Sequence, residues 1–196
     1  MYLRMETLAQ QRRKASKPLL WIGIGSIIMA FAGLTSGYVV SRTTLVANEQ
    51  WITFALPTAF MYSTIVMLLS SAIFWWGKRT FSKGNSKALT PSLVVVLILG
   101  LVFMWLQAEA WGQLMAENII FAGAQSHPSG SWVYAIFIFH AAHVLGGIVA
   151  LIRTLIRSLR GRYTVKDYHG VSLTAIYWHF VDLLWVYLYV FLSVMR

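Results

Sequence analysis

Tyr177-Trp178-His179-Phe180-Val181-Asp182-Leu183-Leu184-Trp185 sets a histidine and a carboxylate in the middle of a largely apolar run from Val171 to Met195. A run of that length crosses a bilayer as a helix, which needs roughly 20 apolar residues. An ionisable side chain at mid-depth costs somewhere between roughly 3 and 10 kcal/mol, so Asp182 must find a partner inside a helix bundle. His179 and Asp182 are three residues apart and share one helix face. That face is therefore expected to meet protein and not lipid.

The rest of the chain agrees with this reading. Of its 196 residues, 58% are hydrophobic and only 11% are charged, against about 25% charged in soluble domains; the mean hydropathy is +0.66. Five apolar segments stand out, at about Pro18–Val40, Trp51–Trp76, Thr90–Gln113, Ser131–Ile152 and Tyr168–Met195. They are too long and too uninterrupted for strands, and helices satisfy their own backbone groups in lipid. The expected fold is an all-α, polytopic five-helix membrane bundle behind a basic tail at residues 1–17, with residues 18–196 forming a single membrane domain.

The basic residues explain the formal charge of +10 without nucleic acid. The tail carries Arg4, Arg12, Arg13, Lys14 and Lys17; the second cluster is Lys78, Arg79, Lys83 and Lys87; the third is Arg153, Arg157, Arg160, Arg162 and Lys166. The alternate connections hold only Arg42 and none, and Arg196 ends the chain. By the positive-inside bias the N-terminus is cytoplasmic and the C-terminus outside. Trp21, Trp51, Trp75, Trp76, Trp111, Trp132 and Tyr168 lie near span ends, as interfacial aromatics do. Ala30-Phe31-Ala32 mimics a signal-peptidase site, but the apolar run continues to Val40, so an uncleaved first span is expected. With no cysteine, disulfide frameworks and thiolate metal sites are excluded.

The groups that could carry chemistry are Glu109, His140, His143, His179 and Asp182. At 1.5 Å per residue, His140 and His143 lie roughly 15–20 Å above Arg153, and His179 and Asp182 roughly 18–22 Å above Asp167. The last two spans thus place polar groups at one level, and a connection of about 15 residues makes them antiparallel neighbours. Three readings are open: a buried hydrogen-bonded cluster of His140, His143, His179 and Asp182; a proton path; and a metal or haem site. Phe137, Phe139, Val144 and Leu145 crowd the histidines, no C-x-x-C-H motif exists, and no second carboxylate stands at that depth, so the structural cluster is favoured. Glu109, about a turn from the outer end of the third span, and Gln107 are additional polar groups near the headgroups. His127 and His169 read as solvated. Gly33-x-x-x-Gly37, Gly146-Gly147, and Ser63, Thr64, Ser70 and Ser71 on the second span read as packing positions.

The run Tyr177–Trp185, together with Phe139-His140-Ala141-Ala142-His143-Val144-Leu145-Gly146-Gly147, resembles subunit III of the haem-copper terminal oxidases. Pro57-Thr58, Ser63-Thr64 and Ser70-Ser71, the stretch Leu99-Gly100 to Gln107, and Pro128-Ser129-Gly130-Ser131 extend the resemblance over essentially everything after residue 18. The chain is similar to the shorter five-helix form of cytochrome c oxidase subunit III, where longer members have seven helices. Where those members carry a Ser-Glu pair, this chain has Ser26-Ile27. The acid of their Gln-x-x-Glu pattern is displaced by one, in Gln107-Ala108-Glu109-Ala110-Trp111. The resemblance implies an integral subunit with no cofactor of its own, packed against a subunit I that holds haem and copper, with subunit II in the same complex. It implies stabilisation of that core, support of proton uptake, and phospholipid held near the flank of the first two spans. The location implied is a bacterial-type inner membrane, and membership of a respiratory supercomplex stays open. A quinol oxidase subunit III, an accessory protein of nitric oxide reduction, a small membrane transporter and a b-type cytochrome are the alternatives.

Overall fold

The computed structural model describes residues 2–85, 87–123, 126–165 and 167–195, without the side chains of residues 2–7 and 9. Lys166 and Arg196, counted in the charge pattern, lie outside the described residues, as does the side chain of Arg4. The elements are α1 (Tyr2–Ala47), α2 (Thr58–Ser82), α3 (Leu89–Ala116), α4 (Pro128–Leu159) and α5 (His169–Met195), with no strand among the described residues. All five contain a window long and apolar enough to cross a membrane. The protein is a multi-pass, all-α membrane protein.

The helix ends differ from the sequence expectation for local reasons. The second helix was expected from Trp51 but begins at Thr58, because the residue before a proline is pushed out of the α region and Pro57 itself stands at the cap. α4 begins at Pro128, a residue whose missing N–H is harmless in the first turn, and continues past Ile152 to Leu159. The tail at residues 2–17 is not a separate segment. α1 runs unbroken through Pro18 to Ala47, drawn out by the good helix formers Leu, Gln, Arg and Lys. Its 46 residues amount to about 69 Å, far more than the roughly 30 Å hydrocarbon layer, so the basic turns project beyond the bilayer.

The buried positions of α2 include Phe60, Ser63, Met67, Ser70, Phe74, Gly77 and Phe81, and those of α3 include Leu89, Leu93, Val96, Gly100, Phe103, Ala110 and Leu114. Both follow alternating steps of three and four, the seam of an antiparallel coiled coil. α2 also packs against α5, α3 against α4, and α4 against α5, which closes a ring of four helices. α1 stands outside the ring and, among the described residues, its backbone comes close to that of α4 and α5 alone among the helices.

Trp178 of α5 fills the middle of that ring and is fully buried. A Cβ added at Gly100 of α3 would meet its ring at 2.8 Å, and one added at Gly147 of α4 would meet it at 3.1 Å. Its Nε1–H donates to Ser70 Oγ of α2 at 2.7 Å. One indole from α5 therefore contacts all three other helices of the ring, and the two glycines are the price of its size.

Candidate functional site

Three polar side chains of α5 pair with hydroxyls of α2. Trp178 donates to Ser70, Trp185 Nε1–H donates to Thr64 Oγ1 at 3.0 Å, and Ser71 Oγ lies 2.5 Å from His179 Nδ1. Ser63, the fourth hydroxyl of this stripe, accepts from Gln107 Nε2 of α3 at 3.1 Å. Every hydroxyl in the stripe thus ties two helices together. Such interhelical bonds contribute on the order of 0.6 kcal/mol each in a membrane protein. Asp182 is 4% exposed, and its Oδ1 has no partner among the described residues.

His140 lies elsewhere. It is 1% exposed, with its ring 5.1 Å from Trp185 and 6.0 Å from Phe103. Neither of its nitrogens has a hydrogen-bond partner among the described residues. His143 faces α1, with its ring 5.6 Å from Phe31, and its Nδ1 lies 2.6 Å from the Phe139 carbonyl one turn back. The His143 carbonyl accepts from Tyr177 at 3.0 Å. The expected single cluster of His140, His143, His179 and Asp182 is therefore corrected to three separate settings, with no hydrogen bond joining either α4 histidine to Asp182. The reason is rotational: the His179–Asp182 face of α5 turns to the hydroxyls of α2, while α4 meets α5 through Gly147, Thr154 and the back of Trp178.

Gln107 is part-buried against Ser63, whereas Glu109 is exposed on α3. Among the described residues no three of His, Asp and Glu gather into a set that could hold a metal ion. Of the two glycine pairs, Gly147 meets Trp178 and Gly37 meets Trp132, while a side chain at Gly33 would enter open space.

At the basic end, the projecting turns of α1 fold onto the α4–α5 connection. Arg13 donates twice to Asp167, at 2.6 and 2.9 Å, and Ser16 Oγ lies 2.6 Å from His169 Nε2. His169, expected to be solvated, is held at this junction. Arg12, Arg13, Arg157 and Arg162 surround a cleft of about 600 Å³ there. Toward mid-depth an apolar groove of about 320 Å³ runs between α1 and α5, lined by Ile28, Phe31, Ala32, Leu183, Leu184 and Tyr187. The residues that line this groove come from α1 and α5 and not from the second span.

Sequence reasoning missed Trp178, Trp185 and their hydroxyl partners as the ties of the bundle. A signal was present: Trp178 and Trp185 are one heptad apart, as are Ser63-Thr64 and Ser70-Ser71, which lets two antiparallel helices match them pairwise. The Arg13–Asp167 pair carried no comparable signal.

Comparison with known proteins covers nearly the whole bundle. The family model for cytochrome c oxidase subunit III matches residues 26–195. The chain is similar to cytochrome c oxidase subunit 3 of Corynebacterium diphtheriae, 29% identical over 192 residues that span 93% of this chain and 92% of that protein. It is 32% identical to the Rattus norvegicus cytochrome c oxidase subunit 3 over 133 residues, 66% of this chain and 48% of the rat protein. With the Spodoptera frugiperda protein of the same name it shares 29% over 133 residues, covering 84% of that protein. The match thus spans about half the length of the rat protein and nearly all of the corynebacterial one.

Proposed function

The chain belongs to the cytochrome c oxidase subunit III family, and we propose that it serves as the non-catalytic third subunit of a proton-pumping terminal oxidase in aerobic respiration. In this reading it packs against a catalytic subunit I that carries the haems and copper, with subunit II in the same complex. It sits in a bacterial-type cytoplasmic membrane with its N-terminus on the cytoplasmic side. The observation that carries the reading is the family match over residues 26–195, which takes in both polar motifs of α4 and α5 and the C-terminal half of α1.

Its part is structural. Trp178, His179 and Trp185 of α5 are used in holding α2, and Trp178 fills the middle of the ring. Its support of proton uptake is indirect: Ser26-Ile27 supplies no carboxylate in α1, and Glu109 faces outward. Lipid binding is supported by the two cavities on the α1 flank. Four arginines at the basic cleft suit an anionic phospholipid headgroup, since basic pockets between spans on the cytoplasmic side attract such lipids. The groove from Ile28 to Tyr187 lies where its acyl chain would run.

Affinity purification of the tagged chain in mild detergent tests the assignment. The expected result is co-purification with a much larger subunit and a haem Soret band, with oxygen consumption on addition of a one-electron donor protein. A chain that purifies alone, or a Soret band that stays with the isolated chain, refutes it.

A further inference from the structure

His179 stands about 15 Å along α5 from His169 and about 24 Å from Met195, which places it near mid-depth in a bilayer. Its Nδ1 lies 2.5 Å from Ser71 Oγ of α2. Its Nε2 has no hydrogen-bond partner among the described residues, and the part-buried ring leaves that atom open to the surface. Whichever tautomer the Ser71 bond selects, Nε2 is an N–H without an acceptor or a bare nitrogen without a donor. The hydrocarbon layer holds no water to fill it, and acyl chains carry neither group. An ionisable side chain inside a membrane almost always faces protein or a water-filled cavity. Nearby polar groups are already provided for: Thr64 and Ser70 of α2 take the two indole N–H groups of α5. His143 also has an unfilled Nε2, but it stands one turn from Gly146, where a groove of about 380 Å³ leads past Thr154, Arg153 and Arg157 toward the basic end. Beside His179 the surroundings are apolar. Leu68, three residues before Ser71, and Trp75, four after it, share its side of α2, and both are half-exposed.

We propose that the seam between α2 and α5 is the face on which a membrane helix of a partner chain docks, and that this helix brings a hydroxyl, amide or carboxyl side chain to His179 Nε2. In a membrane, apolar contact alone barely favours protein over lipid, so a hydrogen bond between helices fixes which faces meet. Leu68 and Trp75 supply the apolar area around that bond. The inference rests on the proposed place of this chain in an oxidase, where the partner is the larger catalytic subunit. The α1 flank, with its arginine cleft and its groove, is then left to lipid.

The test is photo-crosslinking in the native membrane, with p-benzoylphenylalanine in place of Leu68 or Trp75, and in place of the exposed Leu101 of α3 as a position off the seam. The expected result is capture of the larger subunit from Leu68 and Trp75. Two variants separate the outward contact from the Ser71 bond. The amide of His179→Asn reaches where Nδ1 stood and keeps Ser71, whereas that of His179→Gln reaches where Nε2 stood. His179→Asn should cut retention of the chain in the complex roughly threefold under a fixed detergent challenge, the factor for one interhelical hydrogen bond in a membrane. His179→Gln should leave retention unchanged. The unfolding midpoint of the isolated His179→Asn chain should stay within about 2 °C of the parent; a larger fall assigns the loss to the Ser71 bond and overturns the proposal. So does equal retention of the two variants, capture of lipid or of a second copy of this chain alone from Leu68 and Trp75, or capture of the larger subunit from Leu101 and not from the seam. Those results leave the oxidase reading standing, whereas a chain that associates with no larger subunit overturns both.

Discussion

Replacing Trp178 by alanine should loosen the whole ring of four helices. The indole is fully buried, is held at 2.7 Å by Ser70, and presses on the backbone at Gly100 and Gly147. Trp185, two turns further along α5, also reaches the three helices, through Thr64, Phe103 and His140, but meets no glycine backbone there. A Trp→Ala cavity in a packed interior costs about 3–5 kcal/mol, and the two glycines have no side chains with which to refill it. The lost bond to Ser70 adds about 0.6 kcal/mol; it adds no more because Ser70 can turn to a carbonyl in its own helix. For a chain of this size each kcal/mol moves the unfolding midpoint by about 2–4 °C, so the expected fall is roughly 7–22 °C. The assay is thermal unfolding of the detergent-solubilised protein followed by far-ultraviolet circular dichroism. Gly100→Ala is the companion variant. Its methyl group meets the ring at 2.8 Å, which costs about 1–3 kcal/mol of overpacking. The better helix propensity of alanine returns about 1 kcal/mol of that. Its midpoint should therefore fall by less than that of Trp178→Ala. A Trp178→Ala protein that melts within about 2 °C of the parent would refute the idea that this ring holds the bundle together.

Four further outcomes are expected. Asp182→Leu removes a buried carboxyl at mid-depth, and should lower the fraction of complex that retains this chain while the turnover of intact complex stays within about twofold, a factor equivalent to 0.4 kcal/mol; a fully assembled but inactive complex would contradict this. Arg157→Ala combined with Arg162→Ala should cut co-purified anionic phospholipid by roughly fivefold per arginine, at about 1 kcal/mol each, as measured by lipid mass spectrometry. Because the chain has no native cysteine, single cysteines at Asn85 and Ser126 report topology directly: a membrane-impermeant maleimide added to intact cells should label Ser126→Cys and leave Asn85→Cys unlabelled until the membrane is opened. The Arg13–Asp167 pair has side chains about half exposed, so Arg13→Ala should cost under about 1 kcal/mol; it should nonetheless speed tryptic cleavage near Lys14 and Lys17 as the projecting turns of α1 lift away.

The fold was legible because a bilayer imposes a simple rule on sequence. Each run of apolar residues must be a helix, and the basic residues between Trp76 and Leu89 or after Ile152 mark alternate turns. The rule sets that a span exists, not where it ends, so Pro57 and Pro128 decided the starts of α2 and α4 and the basic tail proved helical through Pro18. Polar pairing was harder to read. His140 and Asp182 were recognisable as costly at their depth, but depth does not fix rotation about a helix axis. Their partners depended on which helix stood opposite, and α5 turned its motif to α2 instead of α4. Ser71 gave no sign of its role until His179 lay beside it. The Arg13–Asp167 contact joins residues 154 positions apart, which no local pattern encodes.

Native mass spectrometry of the intact assembly, followed by gas-phase release of its subunits, tests the central claim most directly. The account predicts that this chain leaves as a 22.2 kDa polypeptide carrying at most phospholipid, while haem and copper stay with a larger companion. Haem or copper mass on the released chain, or its appearance with no oxygen-reducing companion at all, would contradict it.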